Sequence, residues 1–272
     1  IAAGMGNGNT LVIKGGIFGE KGASSTIYLD KSSSVYGSVG SEIAENNTVE
    51  IYDGIFYQDV YGARVSGTNV SAKLNKVNIY GGVVEGDVTG GYASDLGVVD
   101  SNYVLIKDAE VRNVNGGYGE GNVINNKIEI SGSAKVGSAY GGYGLGSANV
   151  SDNSITISGT AEITSMLYGA YSKGITENNR VLITGDSKIN SPWIRGGYSV
   201  NNEANDNVVE ISGGTINSII AGGYGNTANN NKVILSGGII EMKNVYGGYS
   251  DDIEEANNNI NYIKKIKLHI KS

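Results

Sequence analysis

Short apolar strands recur along this chain, and each begins two residues after an asparagine. The clearest examples are residues 75–79, 126–130, 179–183 and 231–235, where apolar and polar side chains alternate. A period of two predicts half-buried β-strands. Because the asparagines recur about one coil apart, they also predict a column of stacked amides. Its members are Asn9, Asn47, Asn75, Asn102, Asn126, Asn153, Asn179, Asn207, Asn231 and Asn258.

A doublet of small residues marks the same repeat at intervals of roughly 26 residues. Its first position is always glycine, which predicts a positive φ there, whereas the second position admits alanine. The doublets are Gly62-Ala63, Gly90-Gly91, Gly116-Gly117, Gly141-Gly142, Gly169-Ala170, Gly196-Gly197, Gly222-Gly223 and Gly247-Gly248. A tyrosine directly follows most of them, and these tyrosines predict a second stacked column.

Three apolar columns predict three inward-facing strands in every coil. One column runs from Ile51 to Leu235, one from Phe56 to Ile240 after a turn, and one from Val60 to Val245 before the doublet. This pattern predicts an all-β, parallel β-helix of triangular cross-section, with about ten coils of roughly 26 residues. We interpret 1–272 as a single domain, with repeats over 9–250 and a C-terminal coil or cap over 251–272.

The tail of the chain predicts one last strand. Ile266, Leu268 and Ile270 alternate there with Lys267, His269 and Lys271. A basic outer face on such a strand would discourage stacking of another chain on the end of the solenoid. His269 is the single histidine of the sequence, and we do not expect it to be catalytic.

Composition narrows the class of protein. The 272 residues include 43 glycines, 18 tyrosines, one proline and no cysteine, and the formal net charge is −7. Glycine disfavours helical repeats, since each one costs a helix about 1 kcal/mol. The acidic balance argues against a nucleic-acid partner. The first residues lack a basic signal-peptide start, so we expect the chain to be a fragment of a longer protein.

Two repeats carry a resemblance to a known family. Residues 207–214 read Asn-Val-Val-Glu-Ile-Ser-Gly-Gly and lead to Ala-Gly-Gly-Tyr-Gly at 221–225, and residues 231–238 lead to Tyr-Gly-Gly-Tyr at 246–249. These repeats resemble the passenger domains of bacterial autotransporter adhesins, and the resemblance covers at least residues 9–250. It implies a right-handed parallel β-helix, extracellular, at the bacterial cell surface or outer membrane. Membrane anchoring would come only through a C-terminal segment outside this chain.

Catalytic and metal-binding motifs are missing from the sequence. We find no phosphate-binding loop, no His-Glu-x-x-His motif, no Gly-x-Ser-x-Gly motif and no cluster of histidine or cysteine, so we expect no cofactor and no metal. Acidic residues near the end of the repeats could hold calcium, but such residues more often serve only solvation. These are Asp251, Asp252, Glu254 and Glu255.

One carboxylate pair supports an enzymatic alternative. Asp59 and Asp87 occupy the same outward position on successive coils, so their side chains are expected about 5 Å apart. That separation suits a retaining glycosidase, and Arg64 lies nearby. The alternative is that two aspartates align by chance on a solvated face of an acidic chain.

A more informative feature is an apolar strip on the outward side of the third predicted strand. Met166, Trp193 and Ile219 occupy one outward position on consecutive coils, whereas other coils have polar residues there. Two positions further on, Tyr140, Tyr168 and Arg195 are also expected to face outward. Exposed apolar strips with Trp, Tyr and Arg often bind partners. A flanking loop or another domain could instead cover this strip.

Three functions remain open from the sequence. The first is an adhesin fragment that binds a host or neighbouring-cell glycan or protein, with possible self-association and no nucleic acid. The second is a polysaccharide-degrading β-helix enzyme of the pectin-lyase or phage-tailspike kind. The third is a surface spacer without a ligand. Since the motifs specify the fold far more than the ligand, we favour the first and expect no enzymatic activity.

Overall fold

The chain folds as an all-β parallel solenoid with coils of about 27 residues. The computed structural model describes residues 1–21, 34–40, 42–241, 244–250, 256–264 and 267–269. Within these ranges every regular element is a β-strand, and no helix long and apolar enough to cross a membrane occurs in them. The predicted fold class is confirmed. The first sheet has a strand from each of ten coils, but the third sheet has only seven strands, so the end coils are incomplete and the solenoid has about eight turns rather than the ten predicted.

The first face is a ten-stranded sheet built from the asparagine-led segments. Its strands pair in register, so that Val77 lies between Val49 and Val104, and Ile79 lies between Ile51 and Ile106. The alternating pattern therefore places one apolar column inside and one mixed column outside, as predicted. The strands are Thr10–Ile13, Thr48–Ile51, Lys76–Ile79, Tyr103–Lys107, Lys127–Ser131, Ser154–Ile157, Arg180–Ile183, Val208–Ile211, Lys232–Leu235 and Ile260–Ile263.

The second face contains both of the other predicted strands. In three coils they form one continuous strand, and the register shifts between Val84 and Asp87 where the two segments join. The strands are Ala2–Gly4, Ile17–Phe18, Val35–Gly40, Ile55–Phe56, Val60–Val65, Val83–Ala93, Glu110–Gly119, Lys135–Gly144, Glu162–Ile163, Leu167–Ser172, Lys188–Ile189, Trp193–Ser199, Thr215–Ile216, Ile219–Gly225, Ile239–Glu241, Val245–Ser250 and Lys267–His269.

The third face lies between the tyrosine column and the next asparagine, where we predicted no strand. Its strands are two or three residues long, too short to show a clear alternation in the sequence. They are Ile43–Glu45, Ser71–Lys73, Val98–Asp100, Val123–Ile124, Val150–Ser151, Thr176–Glu177 and Ala204–Asn205. The coil therefore has three faces, but not the three that the sequence predicted.

Two apolar cores fill the interior. The larger one joins the inward columns of the first two faces, including the buried side chains of Ile130, Ile163 and Leu167. A smaller one, with Val99, Val123 and other small residues, lies beneath the third face.

The asparagine ladder is continuous through nine links between successive coils. Each Nδ2 donates to the Oδ1 of the asparagine in the next coil, and the same Oδ1 also accepts the preceding asparagine's backbone N–H. Most Nδ2 groups also donate to a carbonyl of the third face, as Asn153 does to Val123. The predicted stacking of this column is confirmed, and the buried amides are satisfied.

The last member of the ladder is Asn259, not Asn258 as predicted. The residue directly before each ladder asparagine, from Asn46 to Asn258, has φ between 54° and 58°. Asparagine and aspartate tolerate this left-handed conformation better than other non-glycine residues, and Asn258 occupies that turn position. Three consecutive asparagines at 257–259 concealed the register in the sequence.

The first doublet glycine is required for a different reason from the one predicted. Gly116 and its equivalents are extended rather than left-handed, so the predicted positive φ is wrong. A Cβ on Gly116 would collide with the carbonyl oxygen of Gly141 in the next coil. Close approach of neighbouring backbones, and not φ, therefore excludes side chains at this position.

The C-terminal strand prediction is confirmed for the backbone of Lys267–His269, which pairs with Ile239–Glu241. Ile266, Ile270 and Lys271 lie outside the described residues, as do Asp251, Asp252, Glu254 and Glu255.

Candidate binding face

The outward side of the second face carries three parallel columns of side chains. In one coil they consist of Asp59, Tyr61 and Arg64, and they repeat coil by coil because the strands pair in register. In the coils toward the C-terminus these columns become aromatic and apolar. We call the outward side chains of residues 138–143, 166–171, 193–198, 219–224 and 244–249 the aromatic face.

Tyrosines form the column next to the third face. Tyr92, Tyr118, Tyr143 and Tyr171 stack with ring centroids 4.7–5.4 Å apart and interplanar angles of 22–32°. The rings are half-buried, and none leaves the column for another face. The predicted tyrosine column is therefore confirmed, and it presents a row of ring edges and hydroxyls to solvent.

The stack breaks at Tyr198. Its ring lies at 75° to that of Tyr171 and at 89° to that of Tyr224, although the centroids remain 5.3 and 5.0 Å apart. Beyond the break, Tyr224 and Tyr249 stack again at 15°. Because the spacing is conserved and only the orientation changes, a local contact at Tyr198 must turn the ring.

That contact is the guanidinium of Arg195. Its Cζ lies 4.1 Å from the ring centroid of Tyr198, 4.2 Å from that of Trp193 and 4.3 Å from that of Tyr224. The residue paired with Arg195 on the next coil is Ala221, whose small side chain leaves room for the guanidinium. Cation–π attraction explains why the ring of Tyr198 presents its face to Arg195.

Arg195 is 5% exposed, and its hydrogen bonds are incomplete. Nη1 donates to the hydroxyl of Tyr168 at 3.3 Å, whereas Nε is buried and has no acceptor. Burial lowers the pKa of the guanidinium, and the neighbouring tyrosines oppose that effect. Burial also raises the pKa of Tyr168 to about 12. The site thus holds a cation surrounded by rings.

The predicted apolar strip lies within the aromatic face. Trp193 pairs with Ile219, and Met166 occupies the same position one coil earlier, directly before Leu167, which pairs with Ile194. All three side chains are half-buried rather than fully exposed. They form one edge of the face, with Trp193 packed against Arg195 and with its ring centroid 6.2 and 6.4 Å from those of Tyr224 and Tyr249.

The second group of predicted binding residues is less accessible than expected. Tyr140 is half-buried, but Tyr168 and Arg195 are 4% and 5% exposed, although they point away from the core. The expectation that these two face solvent is wrong because the flanking rings cover them. One feature of the sequence does indicate the Arg195 site. In the column of Tyr140 and Tyr168 the next coil has an arginine in place of tyrosine, and the coil after that has the small residue Ala221.

Asp59 and Asp87 lie on adjacent coils, as predicted, and both carboxylates serve the fold. Asp59 accepts the backbone N–H of Asp87 at 2.8 Å and the hydroxyl of Tyr61 at 3.0 Å. Asp87 Oδ1 accepts from Arg112 Nη2 and Asn113 Nδ2, both at 2.9 Å. These contacts give the two aspartates a structural role that the sequence did not reveal.

Other possible sites are sparse in the described part of the chain. No group of three or more His, Cys, Asp or Glu side chains there could hold a metal ion. An open groove of about 480 Å³ runs beside Arg112 and is lined by Val84, Glu110, Lys135 and Thr164. Its charges are mixed, and no buried side chain points into it without a partner.

Comparisons of the chain with models of protein families, with curated proteins and with solved structures found no match.

Proposed function

We propose that this chain is an extracellular adhesive region of a bacterial surface protein. In this proposal the solenoid is a rigid rod, and its aromatic face binds a glycan or a protein on a host or neighbouring cell. The observation that carries the proposal is the row of half-exposed rings around Trp193 and Arg195. Aromatic residues and arginine contribute most of the binding free energy at many recognition surfaces.

Two features favour recognition over the alternatives. The carboxylates of Asp59 and Asp87 already accept structural hydrogen bonds, which weakens the case for a glycosidase. A spacer rod would be served by the asparagine ladder and the two cores alone. It would not need a cation enclosed by rings on one face.

The proposal is tested by measuring binding of the purified chain to arrays of glycans and of cell-surface proteins, and to the chain itself. Trp193→Ala should weaken binding at least tenfold, equivalent to about 1.4 kcal/mol. A matched control is Tyr52→Ala, which removes a 41%-exposed ring outside the aromatic face. Equal binding by both variants, when both remain folded, would remove the aromatic face as the binding site.

A further inference from the structure

The side chains on the aromatic face carry one formal charge, and it is positive. Residues 138–143, 166–171, 193–198, 219–224 and 244–249 include no aspartate, glutamate or lysine, and Arg195 is their only arginine. The chain as a whole has a net charge of −7. The aromatic face therefore differs in charge from the rest of the molecule.

Arg195 lacks a counter-ion within the described residues. The ion pairs found there belong to Arg112, Lys127 and Arg180. A buried cation without an anion is costly, and rings recover only part of that cost. The buried Nε–H of Arg195 also has no acceptor among the described residues, whereas most buried polar groups in native structures have a partner.

The ring arrangement suits a sugar next to an anionic group. At the break, the ring of Tyr198 turns away from the stack and toward Arg195, and the ring centroid of Trp193 lies 4.2 Å from the same guanidinium. A guanidinium matches carboxylate and sulfate oxygens in pairs. The faces of the stacked tyrosines are occupied by one another, but Trp193 lies at one edge of the aromatic face and is half-buried, so part of its ring is open to the apolar face of a pyranose.

We propose that the ligand of the aromatic face is an acidic carbohydrate, whose carboxylate or sulfate binds Arg195 while a neighbouring sugar ring stacks on Trp193. This inference rests on the proposed function and specifies its ligand class. In this proposal binding shifts the rings around Arg195, Trp193 among them, enough to admit the anion, because Nε is buried in the free protein. Trp193 is the only tryptophan of the chain, so its fluorescence reports that movement directly.

The test compares acidic and neutral ligands that share the same sugar backbone. Fluorescence titrations use a galacturonic acid tetrasaccharide, its methyl ester, and a sulfated galactan tetrasaccharide with its desulfated form. The wild-type chain should bind at least one acidic probe tenfold or more tightly than the neutral counterpart. The pair with the larger difference identifies carboxylate or sulfate as the recognised group.

Variants separate charge from packing. Arg195→Met retains an unbranched apolar stem beneath the rings and should abolish the tenfold preference, and Arg195→Lys should restore part of it. Arg180→Met, on the first face, should leave the preference unchanged. If Arg195→Met does not fold, Arg195→Lys takes its place: a weaker preference for the acidic probe supports Arg195 as the binding group, and an unchanged preference overturns the inference.

Two negative results have different meanings. Equal binding of acidic and neutral probes, or a preference that survives Arg195→Met, overturns the acidic-carbohydrate inference but leaves the adhesive function in place. Failure of the wild-type chain to retain these probes or any glycan on an array overturns this inference. If array proteins and the chain itself also go unbound, the proposed function fails with it.

Discussion

Replacing Asn153 by alanine should destabilise the solenoid by about 3 kcal/mol, because this fully buried side chain makes five hydrogen-bonding contacts, with one N–H of Nδ2 shared between two acceptors. Its Oδ1 accepts the backbone N–H of Asn126 at 2.9 Å and its Nδ2–H at 3.0 Å. Its own Nδ2 donates to the carbonyls of Val123 and Ser151 at 2.9 and 2.8 Å and to Asn179 Oδ1 at 3.0 Å.

The magnitude follows from which groups lose every partner. The buried backbone N–H of Asn126 loses its acceptor, which costs about 1–3 kcal/mol. Asn179 Oδ1 keeps the backbone N–H of Asn153, and the Ser151 carbonyl keeps that of Asn125, so these losses are smaller. The remaining bonds and the small cavity add roughly 1 kcal/mol.

Urea unfolding followed by far-ultraviolet circular dichroism measures the change, and an unaltered m-value shows that both variants unfold the same structure. Asn9→Ala is the matched control, because Asn9 ends the same ladder, is half-buried and, among the described residues, its side chain donates to Asn47 and Met5 alone. We expect it to cost less than about 1 kcal/mol. Equal destabilisation by the two substitutions would refute the argument that burial makes the ladder amides essential.

Three other outcomes follow from the structure. Gly116→Ala should destabilise the solenoid by about 3 kcal/mol, and Gly117→Ala should destabilise it less. The reason is that a Cβ on Gly116 meets a backbone carbonyl, whereas a Cβ on Gly117 meets side chains. The urea midpoints of the two variants give the comparison. Burial raises the pKa of Tyr143 and of Tyr168 to about 12. The stabilisation that comes from keeping these phenols neutral is therefore complete below pH 10 and is lost as the pH rises toward 12. Tyrosinate absorbance and circular dichroism should change together over that range. Incubation with polysaccharides should release no new reducing ends, and release that disappears in Asp87→Asn would contradict this expectation.

Much of the architecture was predictable because a solenoid repeats its constraints in every coil. The inward apolar columns and the ladders of asparagine and tyrosine each appear many times, so one ambiguous coil does not obscure the pattern. The errors arose where the pattern is short or degenerate. The third face has strands of only two or three residues, and the Asn257–Asn259 run permits more than one register.

The candidate site was predictable only in part. The strip of Met166, Trp193 and Ile219 was predictable because the three residues occupy the same outward position on consecutive coils. Since the strands pair in register, residues one repeat apart in the sequence lie side by side in the sheet. The burial of Arg195 and Tyr168 does not follow from that rule. The burial of these two residues depends on the conformations of long side chains, which fill the space left by small neighbours such as Ala221.

The sequence by itself determined the all-β solenoid, its coil length and its stacked columns. The reason is that the alternation of apolar and polar residues can be seen within one repeat and recurs in every coil. Only the tertiary structure decided that the doublet glycines are needed for backbone approach, that Asn258 supplies a left-handed turn and that Tyr198 breaks the tyrosine stack around a buried cation. The physical reason is that these features depend on contacts between coils. Such contacts are set by side-chain orientation and backbone distance, and neither is a property of a single repeat.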